Sequence, residues 1–596
     1  MKTNQHVPSE FRMDRLSQPV SKLRRNSFDV VVIGSGYGGS IAASRMARAI
    51  PKQSVCLLER GREMHPGEYP KTRGHAFKEI QLDTQKRHIG STTALYDFRV
   101  NDDINVFLGC GLGGTSLVNA GVSLRADERV FQDCRWPEQL RQDLAALFNP
   151  DNGDYARAEQ MLQPEAYPED RPELKKFEAL KKSAMALGGR FYRPRINVTF
   201  ADRKNAAGVL QHKCSDCGDC VSGCNVGAKN TTLMNYLPDA KHHGAEIYTE
   251  AKVTHVARRG EKWVVYFEPQ FGGEKIFNGP EHFVIADTVI LGCGALGSTE
   301  ILLRSRSEGL SLSSTLGTRF TGNGDVLAFG YNTDTSIRGI GLAHHHVPAD
   351  QHVGPCITGI IDLRDPEQPV QDGLVIEEGA IPGALARFIP WLLPLLAIFF
   401  GHETKRSRTE FLRQATRAIK SALGGPGGSY TGAIRNTQTF LVMSHDKDGG
   451  RMFLENDRLR IRWPHVGEEW DFQHVDETLR AATEPLGGVY LQDPVWSSPF
   501  NWELVTAHPL GGCIMSDRAD TGVVNHKCQV FRGATGTEVH ENLYVCDGSI
   551  VPTSLGVNPL LTISALAERC CRLLAEDRAK DCPDWRIDYA PIHHES

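Results

Sequence analysis

No stretch of the 596-residue sequence reaches the roughly 18–20 consecutive apolar residues that a membrane-spanning helix needs. The first 27 residues are polar and lack the apolar centre of a secretory signal peptide. Neither charge sign is in excess, because 67 basic and 72 acidic residues give a net charge of −5. This balance argues against a nucleic-acid partner. Together these absences predict a cytoplasmic protein.

The sequence also lacks the cysteine pattern of a disulfide scaffold. Its fifteen cysteines are an odd number and are irregularly spaced, which is typical of a reducing compartment. We find no internal repeat and no long low-complexity tract. Apolar residues make up 40% of the chain and charged residues 23%, as in an ordinary globular protein. A chain of this length predicts several domains or one large domain in two parts.

The clearest local pattern is a strand, a glycine turn and a helix near the N-terminus. Residues 28–33 are mostly apolar and predict a buried parallel strand, and residues 40–50 predict a helix. Between them stands the G-x-G-x-x-G motif, formed by Gly34, Gly36 and Gly39. In such motifs the first glycine makes a tight turn, the second lets the backbone approach a pyrophosphate, and the third lets the helix pack on the strand.

A second apolar strand at 54–58 ends in Glu59, where an acidic side chain can hold ribose hydroxyls. Strand, turn, helix, strand and acid in this order predict a dinucleotide-binding unit with a parallel sheet. Residues 106–122 contain a second dense set of glycines: Gly109, Gly111, Gly113, Gly114 and Gly121. Because they follow the dinucleotide pattern, they predict a second backbone cradle on the same cofactor.

Four cysteines form the sharpest motif in the middle of the chain. Cys214, Cys217, Cys220 and Cys224 have the C-x2-C-x2-C-x3-C spacing of bacterial ferredoxin loops. No proline follows the last cysteine and there is no second motif. Two interpretations stay open: an Fe–S cluster that passes electrons to an acceptor protein or a quinone, or a loop of free thiols or a labile disulfide.

The apolar segment 388–400 is too short to span a bilayer and contains two prolines. Basic residues follow it, so it predicts contact with a membrane interface, a lid over an apolar pocket, or buried packing. Membrane contact would make the protein peripheral. The histidines at 344–346 predict a solvated loop.

Taken together, the motifs resemble those of the glucose–methanol–choline (GMC) flavoprotein oxidoreductases. They recur in chain order as Leu58-Glu59-Arg60-Gly61, Gly111-x-Gly-Gly-Thr-Ser-x-x-Asn119, Gly294-Ala295-x-Gly-Ser298, His508-Pro-Leu-Gly-Gly512, Tyr544-Val-x-Asp547-Gly-Ser549 and Val557-Asn558-Pro559. Within the family the sequence is most similar to the cholesterol oxidase branch, at residues 227–231, 522–525 and 554–559.

This resemblance implies FAD, a Rossmann-type α/β domain that is discontinuous in sequence, and a substrate domain built on an antiparallel sheet. It assigns the FAD-binding domain to 28–125, 206–325 and 498–575 and the substrate domain to 126–205 and 326–497. The remaining 1–27 form an N-terminal extension and 576–596 a C-terminal tail.

The resemblance also implies which residues hold FAD. It places Gly34, Gly36, Gly39 and Glu59 on the ADP half, Gly114, Asn119 and Gly121 near the flavin, and Asp547 near the pyrophosphate. Some relatives link the flavin through a histidine in the region of 116–119. This chain has none there, so we expect non-covalent FAD.

The resemblance places His508 and Asn558 at the catalytic pair of the family. Oxidation of an alcohol removes a proton from oxygen and a hydride from carbon, and histidine suits the proton because its pKa lies near neutrality. Asn558 directly precedes Pro559, which restricts its backbone, and its amide can both donate to an alkoxide and accept from a hydroxyl.

Sterol oxidases of this family that also isomerise a ring double bond have a glutamate on a central strand of the substrate domain. Residues 435–443 are the expected counterpart and contain no glutamate, and Gln438 cannot shuttle protons. The sequence therefore leaves the isomerase step open and gives it no support in this strand, which also weakens the case for a sterol.

The sequence thus predicts FAD-dependent oxidation of a hydrophobic alcohol, a sterol above all. One alternative is a GMC alcohol or sugar dehydrogenase that passes electrons through the cysteine loop. Another, of a different class, is a lipid- or sterol-binding flavoprotein with little turnover.

Overall fold

The computed structural model describes residues 14–271, 274–275, 282–343, 351–384, 401–403, 417, 430, 432–492 and 503–590. The segment 388–400 and the histidines at 344–346 lie outside these ranges. None of the helices in the described ranges combines the length and apolar content needed to cross a membrane.

The first sheet is the frame of the dinucleotide-binding unit. Its six parallel strands lie in the order Gln18–Pro19, Glu246–Thr249, Val55–Leu58, Ser27–Ile33, His282–Leu291 and Val539–Val545. Antiparallel strands extend it at Lys262–Phe271, Ala251–Arg259, Glu274–Lys275 and Gln529–Phe531. Val31, Val32 and Leu57 are completely buried, as expected for central strands of a covered parallel sheet.

The first helix, Tyr37–Ala47, packs against Tyr236–His242 and the long C-terminal helix Leu560–Asp581. Two buried ion pairs, Arg45–Glu568 and Arg48–Asp239, join these three helices at 2.6 Å each. Charged side chains this deeply buried need such partners, because an unpaired charge is costly in the interior.

The second sheet has seven strands and is antiparallel throughout. Its order is Arg190–Tyr192, Ile360–Asp362, Val375–Gly379, Gln438–Met443, Val326–Tyr331, Val489–Gln492 and Gly401–Glu403. Helices Lys175–Leu187 and Trp470–Thr483 pack together against it, and a buried ion pair between Lys176 and Glu378 (2.7 Å) ties the first of them to the sheet.

A third sheet connects the glycine-rich segment to the C-terminal part of the chain. Its order is Leu504–Thr506, Ile104–Gly109, Tyr96–Arg99, Ile80–Asp83 and His88–Ile89. Short strand pairs are Ala49–Ile50 with Arg586–Ile587, Glu165–Ala166 with Arg195–Ile196, Arg203–Lys204 with Leu210–Gln211, and Arg451–Glu455 with Arg458–Arg462. The other α-helices are Arg73–Lys78, Glu138–Gln142, Leu144–Phe148, Asp154–Leu162, Gly294–Ser307 and Gly432–Arg435.

The predicted fold class is confirmed: a parallel Rossmann-type sheet and an antiparallel sheet stand in one α/β chain. The unit around the first sheet also reaches beyond residues 28–575. Gln18–Pro19 adds an edge strand, and Arg586–Ile587 pairs with the strand after the first helix.

Candidate active site

His508 and Asp325 form a close pair between the third sheet and the second sheet. His508 follows the strand Leu504–Thr506 of the third sheet, and Asp325 immediately precedes the strand Val326–Tyr331 of the second. The ring Nδ1 lies 2.8 Å from Asp325 Oδ1, while Asp325 Oδ2 accepts the backbone N–H of Ala507 at 2.9 Å. With Nδ1 held by the carboxylate, Nε2 is the ring nitrogen left for a substrate.

The surroundings of His508 act on its pKa in opposite directions. Burial lowers the pKa, but the carboxylates of Asp325 and, further away, Glu377 raise it by more, so the pKa lies above its ordinary value. A raised pKa makes the neutral ring a stronger proton acceptor.

Asn558 lies in a buried turn before the helix Leu560–Asp581 and faces the second sheet. Its Nδ2 donates to Glu377 Oε2 at 3.3 Å and lies 3.8 Å from Met443 Sδ. The amide Oδ1 of Asn558 and the carboxyl Oε1 of Glu377 are both buried without a hydrogen-bond partner. Buried polar atoms are normally paired, so these two atoms indicate a place for a polar group of a ligand.

Glu377 is the site residue that the sequence reasoning missed. Burial raises the pKa of its carboxyl to about 8, so the group is mostly protonated at neutral pH. The strand of Gln438 contains no glutamate, as its sequence shows, but Glu377 lies on the neighbouring strand, where it pairs with Leu441. Its one local signal is an acidic pair, 377–378, inside an otherwise apolar strand.

The face of the second sheet that carries Glu377 is apolar. Side chains directly opposite each other on antiparallel strands project from the same face. Leu441 pairs with both Glu377 and Leu327, and Phe329 pairs with Thr439 on the next ladder position of that face. Leu327, Phe329 and Leu441 are half-buried, so apolar surface remains available beside the carboxyl.

The glycines of the first motif have different roles in the structure. Gly34 has a left-handed φ of +88°, and a Cβ there would lie 2.6 Å from the Gly292 carbonyl oxygen. A Cβ on Gly39 would collide with the Gly34 carbonyl oxygen. Gly36, at the start of the first helix, has no atom closer than 4.0 Å to such a Cβ. The outer two glycines thus permit packing, and the middle one leaves open space at the helix N-terminus.

The second glycine segment lies directly against the first motif. A Cβ on Gly114 would come within 2.9 Å of Gly36 Cα. Ser35 joins the pieces, because its hydroxyl donates to Glu59 Oε2 at 2.6 Å and accepts the backbone N–H of Gly113 at 2.9 Å. Glu59 is buried at the end of its strand, and burial raises the pKa of its carboxyl.

Three further predicted cofactor residues surround this cradle. Asn119 Nδ2 donates to the Tyr37 hydroxyl at 2.9 Å, and its buried Oδ1 has no partner. Gly121 has a φ of +76° and faces Asn197. Asp547 Oδ2 accepts the backbone N–H of Gly294 at 2.9 Å, which ties its turn to the helix after the central strand.

The four-cysteine loop is not arranged as a metal site. Cys214, Cys217, Cys220 and Cys224 are all described and all free thiols, and within the described ranges no group of side chains is placed to hold a metal ion. Burial raises the pKa of Cys217 to about 12, so its free thiol is neutral. The Fe–S prediction is therefore not supported, and the free-thiol interpretation fits the structure.

Lys229 connects the cysteine loop to the second glycine segment. Its ammonium is buried and donates to the backbone carbonyls of Leu117 at 3.1 Å and Cys220 at 3.2 Å, and also to that of Asn119. Burial lowers its pKa to about 8. The loop is thus fastened to the glycine cradle as a structural element.

A Rossmann-type unit, a second unit with an antiparallel sheet, and a His–Asp pair at their junction define a cofactor-dependent oxidoreductase. Comparison with known proteins names the family: the GMC oxidoreductase profiles match residues 28–320 and 493–567. The chain belongs to the GMC oxidoreductase family.

The most informative relatives are alcohol oxidases. A cholesterol oxidase of Acinetobacter baumannii is 27% identical over 586 residues, covering 91% of this chain and 93% of that protein. A cholesterol oxidase of Mycobacterium tuberculosis is 26% identical, covering 92% and 91%. A long-chain-alcohol oxidase of Arabidopsis thaliana is 24% identical, covering 90% of this chain but 66% of the relative.

Solved structures support the fold. Pyridoxine 4-oxidase from Mesorbium loti has a TM-score of 0.55 at 17% identity, covering 91% of this chain and 98% of that one. Formate oxidase from Aspergillus oryzae has a TM-score of 0.57 at 14% identity, covering 93% and 99%.

The protein is an FAD-dependent oxidoreductase that acts on alcohols. Its residues fit FAD, since the open space at Gly36, the touching turns at Gly36 and Gly114, and the unpaired Oδ1 of Asn119 form a cradle with unused polar groups.

Proposed function

We propose that this protein oxidises the hydroxyl of a hydrophobic alcohol, and that the alcohol is a sterol. The observation that carries the proposal is Glu377, which shares the apolar sheet face of Leu327, Phe329 and Leu441. Its carboxyl bonds Asn558 and interacts electrostatically with His508. Polar groups that can hold one hydroxyl stand there beside a surface that would cover an apolar skeleton.

In this proposal His508 is the base. Asp325 keeps the proton on Nδ1, so the lone pair of Nε2 takes the hydroxyl proton as the C–H bond breaks. The unpaired Oδ1 of Asn558 accepts a hydrogen bond from the hydroxyl and orients it. FAD, when bound, accepts the hydride from the carbinol carbon.

Two observations favour a sterol over a linear alcohol. The cholesterol oxidase relatives align along more than nine-tenths of both chains, whereas the long-chain-alcohol oxidase aligns along 66% of its own length. The carboxyl of Glu377 would also suit a 5-ene sterol, because a pKa of about 8 leaves part of it ionised near neutral pH. Once the ketone has formed, the ionised carboxylate could take a proton from the carbon between ketone and alkene and return it to the far alkene carbon, which gives the conjugated enone and regenerates the carboxylate.

The test is an anaerobic absorption spectrum before and after addition of cholesterol, hexadecanol or glucose in detergent. We expect cholesterol to bleach the flavin band fastest. His508→Ala should block the bleaching, and His540→Ala should not, because His540 bonds the Ser311 carbonyl outside the site.

Bleaching by hexadecanol but not by cholesterol would refute the sterol as substrate, and it would support oxidation of another hydrophobic alcohol. Normal sterol binding without any bleaching would favour a lipid-binding flavoprotein. Admitting oxygen afterwards shows whether oxygen or another acceptor takes the electrons.

A further inference from the structure

A single five-residue loop, 321–325, touches both halves of the proposed catalytic pair. We infer that Asn323, in the middle of this loop, is a positioning residue that sets the place of Asn558 relative to His508. This inference rests on the proposed function, because it assumes that His508 and Asn558 act on one hydroxyl.

The first half of the argument is the link from Asn323 to Asn558. Asn323 is completely buried, its Nδ2 donates to the Val557 carbonyl at 2.9 Å, and its Oδ1 accepts the backbone N–H of Leu555 at 2.8 Å. Both ends of one amide are thus bonded to the short segment that leads directly into Asn558.

The second half is the link from the same loop to His508. Asp325 stands two residues after Asn323 and holds both His508 Nδ1, at 2.8 Å, and the backbone N–H of Ala507, at 2.9 Å. Two residues of backbone span only about 7 Å. The distance between the two catalytic candidates therefore depends on this short, covalently continuous connection.

The conformation of the loop is fixed by its surroundings. Asn323 has a φ of +59° and Gly324 a φ of +61°, both left-handed. The carboxylate of Asp446 accepts the backbone N–H groups of Gly322 and Gly324 at 3.0 Å each, and a Cβ on Gly324 would collide with Ser444. These contacts from a neighbouring segment hold the loop in one position, so that its two ends are fixed relative to each other.

The consequence for catalysis is geometric. The hydroxyl must meet Nε2 of His508 and the amide of Asn558 at the same time, and a misplacement of about 1 Å costs on the order of 100-fold in rate. Removing the Asn323 amide breaks both of its bonds to 555–557 and leaves His508 and Asp325 in place.

The test uses Asn323→Gly, because glycine accepts the left-handed φ without strain. We expect the rate constant of flavin reduction at saturating substrate to fall by about 100-fold. FAD content and substrate KM should stay within about threefold of the wild type. Asn101→Ala is the matched control: Asn101 is also buried and bonds the backbones of Ile461 at 3.0 Å and Ile104 at 3.1 Å. It should keep the wild-type rate within about twofold.

Asn323→Asp tests positioning through the pH dependence of flavin reduction, which a purely structural role would leave unchanged. Protonated aspartic acid can reproduce both bonds of the amide, whereas the carboxylate cannot donate to the Val557 carbonyl. The rate of this variant relative to the wild type should therefore rise as the pH falls. If Asn323→Gly does not fold, the ratio of the Asn323→Asp rate to the wild-type rate tests the inference by itself.

A wild-type rate in Asn323→Gly, or equal losses in Asn323→Gly and Asn101→Ala, would overturn the inference. So would a pH-independent ratio in Asn323→Asp. Wild-type flavin reduction in His508→Ala would instead overturn the proposed function, so the two failures are distinguishable.

Discussion

His508 Nδ1 lies 2.8 Å from Asp325 Oδ1, although the two residues are 183 positions apart in the chain. The pair joins the third sheet to the second, and it raises the pKa of His508 against the opposing effect of burial. A histidine held in this way has one fixed tautomer and one nitrogen free for substrate.

The pH dependence of Asp325→Asn follows from this pair. As a base, His508 must be neutral, so the rate of flavin reduction should rise with pH through the raised pKa of its ring. Without the carboxylate that pKa falls, and the acid limb should move to lower pH. Stopped-flow rates of flavin reduction, measured across pH, would show this shift. An unchanged acid limb in the pH–rate profile would mean that a group other than His508 controls it.

Replacing His508 by alanine should slow flavin reduction by about 10²–10⁴-fold, because a positioned general base contributes that much. FAD should remain bound, since the glycine cradle is untouched. The measurement is the single-turnover reduction rate, with FAD content read from the absorption spectrum. A loss of FAD together with the rate would point to a structural defect.

Glu377→Gln should separate oxidation from isomerisation. The amide keeps the shape of the protonated carboxyl but cannot move a proton, so flavin reduction should change by less than about tenfold while the conjugated enone is lost. Product spectra with cholesterol measure this. Enone formation at the wild-type rate would exclude Glu377 from the proton transfer.

Glu377 also predicts a pH-dependent stability. Its pKa is about 8 in the folded protein against an ordinary value of 4.5, so the unfolded chain releases this proton first. Stability should therefore fall as the pH rises from about 4.5 to 8, and Glu377→Gln should lack this part of the decline. Melting temperatures of the two proteins across this range provide the comparison, and parallel curves would contradict it.

Gly36→Ala should weaken FAD binding, whereas Gly39→Ala should lower the stability of the protein. A methyl group on Gly36 enters open space, so the protein should fold normally but bind FAD at least about tenfold more weakly. On Gly39 it meets the Gly34 carbonyl oxygen, so the melting temperature of the apoprotein should fall. Titration with FAD and thermal unfolding of the apoprotein distinguish the two; equal FAD affinity in Gly36→Ala and wild type would remove Gly36 from the site.

Serine at Cys217 should leave the visible spectrum unchanged, because the four thiols of the loop form no metal-binding group. Iron analysis of anaerobically purified protein should find less than about 0.1 iron per chain, far below the several irons of an Fe–S cluster. Stoichiometric iron that disappears in Cys217→Ser would restore the cluster interpretation.

The sequence by itself determined the features whose chemistry is local. Gly34, Gly36 and Gly39 stand at fixed offsets between an apolar strand and a helix, and the structure shows the turn that these offsets predict. His508 and Asn558 could be named as candidates because each lies in a short motif that resembles one of the family.

Only the tertiary structure decided the partners of these residues. Asp325 and Glu377 have no motif of their own, and they reach the site because distant strands pair in a register that depends on the whole sheet. The cysteine loop shows the converse: its spacing permits a cluster, but in the described part of the chain its packing does not bring the thiols into a metal-binding group. Spacing along a chain constrains neighbours within one turn or strand, whereas packing determines which side chains meet and which pKa values shift.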